Sequence, residues 1–150
     1  MTKPLAVITG ASSGIGEATA KAFSNAGYPT LLLARRIEIM ESFNLKNSIC
    51  KKIDVRDRDA LVSAIREAEK QFGPTDMMFN NAGVARLADI STQDPSEWDE
   101  MIDVNTKGVM NGIYAVMKDM KARQSGTIVN MSSIAGRKVY GDHTVYCGTK

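Results

Sequence analysis

Cysteine is scarce. The chain has two, Cys50 and Cys147, and their separation matches no metal-binding spacing, so no metal site is expected. Both read as reduced thiols of a cytosolic protein, although separation along the chain leaves a pairing in space open. Net charge is also small: +2, with the basic pairs Arg35-Arg36, Lys51-Lys52 and Arg137-Lys138 far apart. That balance argues against nucleic acid as a partner and leaves ordinary solvated surface. No apolar run approaches the roughly 18–20 residues that cross a bilayer. Met1 leads through Lys3 and Pro4 straight into a strand-like run, with no apolar signal segment. Low-complexity tracts, internal repeats and linkers are missing too. Against these scarcities, the hydrophobic content of 43% and charged content of 24% are ordinary for a globular protein. A length of 150 residues is one domain's worth of chain, residues 1–150, and enough to bury a core.

Apolar runs of strand length alternate with helix-period segments. Leu5 to Thr9 reads as a buried strand, and Gly14 to Ala26 as a helix with Ile15, Ala18, Ala22 and Phe23 inward, closed by Gly27. Thr30 to Ala34 is a second buried strand, followed by a short helix or turn over Ile37–Phe43. Ser48 to Asp54 is a less apolar strand, placed near an edge. Arg56-Asp57 opens a helix with Leu61, Ile65, Ala68 and Phe72 on one stripe, ended by Gly73-Pro74. Asp76 to Phe79 is strand four. Asp94-Pro95 opens a helical stretch to about Arg123, and Thr127 to Met131 is strand five. Near-continuous apolar strands are buried on both faces, which implies an α/β fold with helices on both sides of a parallel sheet. Right-handed crossovers leave the doubly wound sheet as the economical topology.

In such a sheet, ligands bind at the carboxyl ends of the strands. Thr9-Gly10-Ala11-Ser12-Ser13-Gly14-Ile15-Gly16 lies at that end of strand one and opens a helix. Gly10 permits a tight exit turn, Gly14 a close approach of backbone to a pyrophosphate, and Gly16 close helix–sheet packing. Free N–H groups and the helix dipole attract phosphates. An NAD site wants an acid at the end of strand two to bind the ribose 2′-hydroxyl. Ala34 occupies that place, and Arg35 and Arg36 follow it. Two cations there suit a 2′-phosphate, so NADP is expected over NAD.

Tyr146 and Lys150 are spaced i, i+4, which puts them on one helix face. An ammonium beside a phenol favours phenolate, making a usable general acid–base for an alcohol or ketone. Ser133 follows strand five at the ligand edge, where its hydroxyl can donate to a substrate oxygen. Tyr-x-x-x-Lys alone is a weak motif, and its weight comes from company.

That company is Thr9-Gly10-x-x-x-Gly14-Ile15-Gly16, Asn80-Asn81-Ala82-Gly83, Asn105, the run Gly126 to Ser133 and Tyr146-x-x-x-Lys150, in this order. The whole chain strongly resembles the short-chain dehydrogenase/reductase family, in its single-domain branch. The resemblance implies a Rossmann fold and hydride transfer between NADP(H) and a small secondary alcohol or carbonyl. It implies that Tyr146 is the general acid–base, that Lys150 holds the nicotinamide ribose, and that Ser133, rather than Ser132, orients the substrate oxygen. It implies that Asn105 kinks the long helix, so that its main chain holds a water linking Lys150 to solvent. Cofactor contacts are expected from Gly10, Ser12, Ser13, Gly14, Ile15, Gly16, Arg35, Arg36, Tyr146 and Lys150. They are also expected from Asp54 and Val55 after strand three and from Asn81, Ala82 and Gly83 after strand four. His143 reads as structural or substrate-lining.

Family members run to roughly 250 residues, a size one α/β domain can hold. On that comparison the chain is expected to be truncated after the start of the catalytic helix, and unstable and inactive if nothing follows Lys150. A second reading is therefore a dinucleotide-binding or assembly subunit without catalysis. The intact Asn105, Ser133, Tyr146 and Lys150 favour the enzyme, since a pure binder has no need of them. A homo-dimer or homo-tetramer packed through the helix at 94–123 is implied for the full-length form. The chain names no particular substrate.

Overall fold

The computed structural model describes residues 3–150. Its strands are β1 (Leu5–Thr9), β2 (Thr30–Ala34), β3 (Ser48–Lys52), β4 (Thr75–Asn80) and β5 (Thr127–Asn130). They form a five-stranded sheet in the order β3-β2-β1-β4-β5, with every neighbouring pair parallel. The helices are α1 (Gly14–Asn25), α2 (Ile37–Ser42), α3 (Arg58–Phe72), α4 (Pro95–Ile102), α5 (Gly108–Arg123) and α6 (Thr144–Thr149). The chain builds outward from β1 through β2 to β3, then returns to the other side of β1 for β4 and β5. Connections leave β1 and β4 in opposite directions, which opens a crevice at their carboxyl ends.

Strand side chains alternate between the two faces. Leu5, Val7, Leu31 and Leu33 point to one side, where α3 contributes Leu61, Ile65 and Ala68 and α5 contributes Ala115, Val116 and Met120. Ile8, Leu32, Ala34 and Phe79 point to the other side, against Ala20 of α1 and Met40 of α2. Fully burying one Leu or Ile is worth about 1.5–3 kcal/mol. Helix-propensity differences among ordinary residues stay below about 0.7 kcal/mol. The apolar stripe therefore decides how α3 sits. Asp57 starts that helix as its N-cap, accepting from Ala60 N at 2.9 Å.

The sheet arrangement and the edge position of β3 match the expectation from sequence, while two local features differ. First, α1 is rotated: Gly16 and Ala20 are buried, while Ile15 is 59% exposed and Ala18 and Ala22 face outward. The closest approach to the sheet is made by Gly16, which has no Cβ, and small Ala20 follows one turn later. Alanine favours helix on either face, so its positions did not report the buried side. Phe23 is partly buried and packs edge-on against Tyr28, with ring centroids 5.2 Å apart. Second, β3 stops at Lys52, two residues before its expected end, and the chain turns through Asp54 and Val55. As expected for a chain whose fifth strand has no further neighbour, β5 is largely exposed, because it pairs with β4 on one side only.

The long helical stretch opens as expected, with the Asp94 side chain accepting from Ser96 N and Pro95 in the first turn. It is not uniformly α. Residues Asp103–Lys107 form a π turn between α4 and α5, and Asn105 lies within it. Such turns are uncommon and concentrate at functional sites. Both cysteines are free and partly buried. Among the described residues no helix is long and apolar enough to cross a membrane.

Candidate active site

The crevice is built from the turns that leave β1, β2, β3 and β4. Gly10 leaves β1 with φ +64°, and a Cβ there would lie 2.8 Å from Ala82 Cα. Gly16, one turn into α1, lies so close to the Gly10 carbonyl and the Asn81 side chain that a Cβ would collide with both. Only glycine fits at either position. Gly14 differs: its φ is +56°, yet a Cβ there would meet nothing within 4 Å.

Thr9 stitches these turns together. It is buried, and its hydroxyl accepts from Asn81 N and Ala82 N, both at 3.0 Å, while donating to Phe79 O at 3.3 Å. Asn81 returns the tie, its side-chain amide donating to Thr9 O at 3.0 Å and Gly10 O at 3.3 Å. Asn80 braces the neighbouring strand, its side-chain amide donating to Asn130 Oδ1 at 2.9 Å and its backbone carbonyl accepting from Met131 N at 2.8 Å. The turn after β3 is held by buried Asn111 of α5, which donates to Val55 O at 2.9 Å and accepts from Arg58 Nε at 3.0 Å.

A cavity of about 340 Å³ results. Gly10, Ser12, Ser13 and Ile15 line it from the first turn, and Arg35 and Arg36 from the second. Asp54 and Val55 close one end, and Asn81, Ala82 and Gly83 the other. Gly14 and Gly16, expected as cofactor contacts, are not among the lining residues. The Arg36 guanidinium donates to Ser12 Oγ at 3.1 Å and Ser13 Oγ at 2.9 Å, so it rests on the glycine-rich turn. The Asp54 carboxylate is bound by Arg56 at 2.6 Å. Hydrogen bonding from that guanidinium holds the Asp54 carboxyl below the ordinary aspartate range.

Beyond Gly83 lies the second group of residues. A Cβ on Gly83 would be 3.3 Å from both Lys150 Nζ and Asn105 Oδ1. Lys150 Nζ donates to Met131 O at 3.1 Å and lies 5.9 Å from the centre of the Tyr146 ring. Its burial lowers the lysine pKa. Ser133 caps a short 3₁₀ turn, Ile134–Gly136, by accepting from Ala135 N at 3.1 Å, which leaves its O–H free to donate. Ser132 is engaged elsewhere, donating to Lys150 O at 3.2 Å. His143 packs its ring edge-on toward Tyr146, with centroids 6.3 Å apart. Lys150 thus adjoins the cavity at its Gly83 end with the Tyr146 ring beside its ammonium, and Tyr146, Ser133 and Lys150 are not among the lining residues.

A family model, that of the short-chain dehydrogenases, matches residues 4–150. The chain belongs to the short-chain dehydrogenase family. An uncharacterized oxidoreductase of Staphylococcus saprophyticus is 43% identical over 148 residues, spanning 96% of this chain and 60% of the relative. LigO from a Sphingobium strain, solved in its apo form, superposes with a TM-score of 0.92 at 33% identity, covering 99% of this chain and 58% of that one. A closed form of serine dehydrogenase complexed with NADP+ gives 0.93 at 30% identity, covering 97% and 60%. The chain therefore spans about 60% of the length of the curated relatives it matches.

Two short-chain dehydrogenase site residues escaped the sequence reading. Thr9 was visible in the glycine motif, but nothing marked its hydroxyl as the tie to the turn after β4. Asn111 carried no signal beyond being polar on an apolar helix.

Proposed function

We propose that this chain forms the cofactor-binding and proton-transfer part of an NADP-dependent oxidoreductase that interconverts a small secondary alcohol and its carbonyl. The observation that carries the reading is the convergence at Gly83. There the Lys150 ammonium adjoins both the Tyr146 ring and the end of a cavity whose first turn has, at Gly10, a position that only glycine fits. A structural surface helix would need neither the buried amine nor the unbranched backbone beside it.

The residues present fit a dinucleotide. The glycine-rich turn would take the pyrophosphate, the turn at Asp54 and Val55 the adenine, and Lys150 the nicotinamide ribose. When bound, the nicotinamide supplies or accepts the hydride. Tyr146 exchanges the hydroxyl proton of the substrate, with the Lys150 ammonium 5.9 Å from the centre of its ring. The free O–H of Ser133 donates to the substrate oxygen and fixes its direction. Preference for NADP rests on Ala34, which places no carboxylate at the ribose, and on Arg36, already held over Ser12 and Ser13. The NADP+ complex of the related serine dehydrogenase is consistent with that choice. Exposed Met110, Tyr114 and Met117 on α5 suit packing against a second copy.

In the protein containing this chain, Tyr146→Phe should lower kcat by about 10²–10⁴-fold while sparing NADPH binding. Turnover close to the wild-type rate refutes the assignment. Arg36→Ala should weaken NADPH and leave NADH nearly unchanged; equal losses for both refute the phosphate role. NADPH binding with no turnover of any ketone or alcohol would favour the non-catalytic reading.

A further inference from the structure

We infer that Thr149 is a positioning residue of the proton-transfer site, its hydroxyl tying the Asn105 amide to the backbone of Tyr146. The inference rests on the reading of Tyr146 as the proton-exchanging group.

Asn105 is 4% exposed, so its side-chain amide must find its partners inside the protein. Oδ1 accepts from Val84 N at 2.8 Å. Nδ2 donates one hydrogen to Val84 O at 2.8 Å and the other to Thr149 Oγ1 at 3.0 Å. Both amide hydrogens are then spent, and nothing remains to donate to a ligand. The side chain is a clamp between the segment following Gly83 and helix α6.

Thr149 completes the clamp. Having accepted from Asn105, its hydroxyl donates to Tyr146 O at 2.9 Å. A threonine that bonds back along its own helix is common and by itself carries little. Here the same oxygen also takes a hydrogen from another element, the π turn, and a chain of two bonds in one direction is mutually strengthening. The backbone N–H of Lys150 goes to Cys147 O at 3.3 Å, so the Tyr146 carbonyl is served by the hydroxyl.

The other ties on this end of α6 face β5. Ser132 Oγ donates to Lys150 O, and Lys150 Nζ donates to Met131 O. Thr149 is the tie on the opposite side, toward the π turn and the segment after β4. Without it, the side-chain hydrogen bonds holding this end of α6 would all come from the segment after β5, leaving packing against α4 to hold the distance of Tyr146 and Lys150 from the cavity end at Gly83. A displacement of about 1 Å at a reacting group costs roughly 10²-fold in rate. Asn105 keeps both of its bonds to the lining residue Val84, so the effect falls mainly on kcat, and cofactor affinity falls less, through the shared displacement of Lys150.

The test is a comparison of Thr149→Val, Thr149→Ala and Thr149→Ser in the protein containing this chain. Valine removes the hydroxyl at nearly constant shape, and alanine, a stronger helix former, guards against a folding failure of the valine variant. Both should lower kcat by about 10- to 100-fold with a clearly smaller rise in the NADPH dissociation constant, and serine should restore the rate. Wild-type kcat in Thr149→Val or Thr149→Ala overturns the inference. So does a parallel loss of kcat and NADPH binding that serine does not recover, which would mark a general structural role. Tyr146→Phe, run alongside, separates the two claims. If it retains turnover the proton-transfer reading itself fails; if it is inactive while Thr149→Val is fully active, only the role of Thr149 falls.

Discussion

Replacing Thr9 by valine removes one oxygen and preserves shape, and the structure says what that oxygen holds. The hydroxyl is buried and accepts from the backbone N–H groups of Asn81 and Ala82, each at 3.0 Å. Each donor left without a partner costs about 1–3 kcal/mol. Because both share one acceptor and the turn can relax, a total of about 2–4 kcal/mol is expected. For a domain of this size, 1 kcal/mol corresponds to roughly 2–4 °C in Tm, giving a fall of roughly 4–16 °C. Asn81 and Ala82 also line the cavity, so NADPH affinity should fall along with Tm. Thr9→Ser keeps the oxygen and loses a methyl, and should remain close to wild type in binding. Thermal melts with and without NADPH, monitored by circular dichroism, measure both effects. A Thr9→Val protein melting within 1–2 °C of wild type (roughly half a kcal/mol) would refute the claim that this hydroxyl organises the turn after β4.

Two further expectations follow from the same geometry. Gly16→Ala places a Cβ against the Gly10 carbonyl and Asn81, where backbone has little room to yield, so stability should drop by about 1–3 kcal/mol and NADPH binding with it; unchanged binding in a titration would contradict the close packing. Asp54 has a pKa held down chiefly by its hydrogen bonds from Arg56, so its stabilising contribution is present above the unfolded aspartate value of about 3.9 and is lost as pH falls through the lower folded value. Asp54→Asn should therefore flatten the acid side of a urea-midpoint profile below that value, and an identical profile would show that the pairing does not contribute.

Much of the fold could be read along the chain because its signals are local. The continuous apolar runs of Leu5 to Thr9 and Thr30 to Ala34, buried at every residue, identified central strands, and Asp57, Asp94 and Pro95 marked helix starts. The orientation of α1 could not be read, because its sheet contact is set by how closely Gly16 approaches another turn, which periodicity does not report. Of the site, the positions of Arg35 and Arg36, the glycine-rich turn and the Tyr146–Lys150 pair were legible as motifs. The division of labour within them was not. Ser12 and Ser13 serve as acceptors for Arg36, the Asp54 carboxylate is taken by Arg56, and Asn105 spends its amide on Val84 and Thr149.

The order of residues fixed the elements, the parallel sheet and the family, since hydrophobic period, turn glycines and caps all act within a few residues of themselves. Folding decided which hydroxyls and amides bind which turns. Thr9 to Asn81, Asn111 to Val55 and Asn105 to Thr149 join segments far apart in the chain, and hydrogen bonds are directional and short. Their partners are determined by how layers of helix and sheet come to rest on one another, to within tenths of an ångström, and no spacing along the chain encodes that.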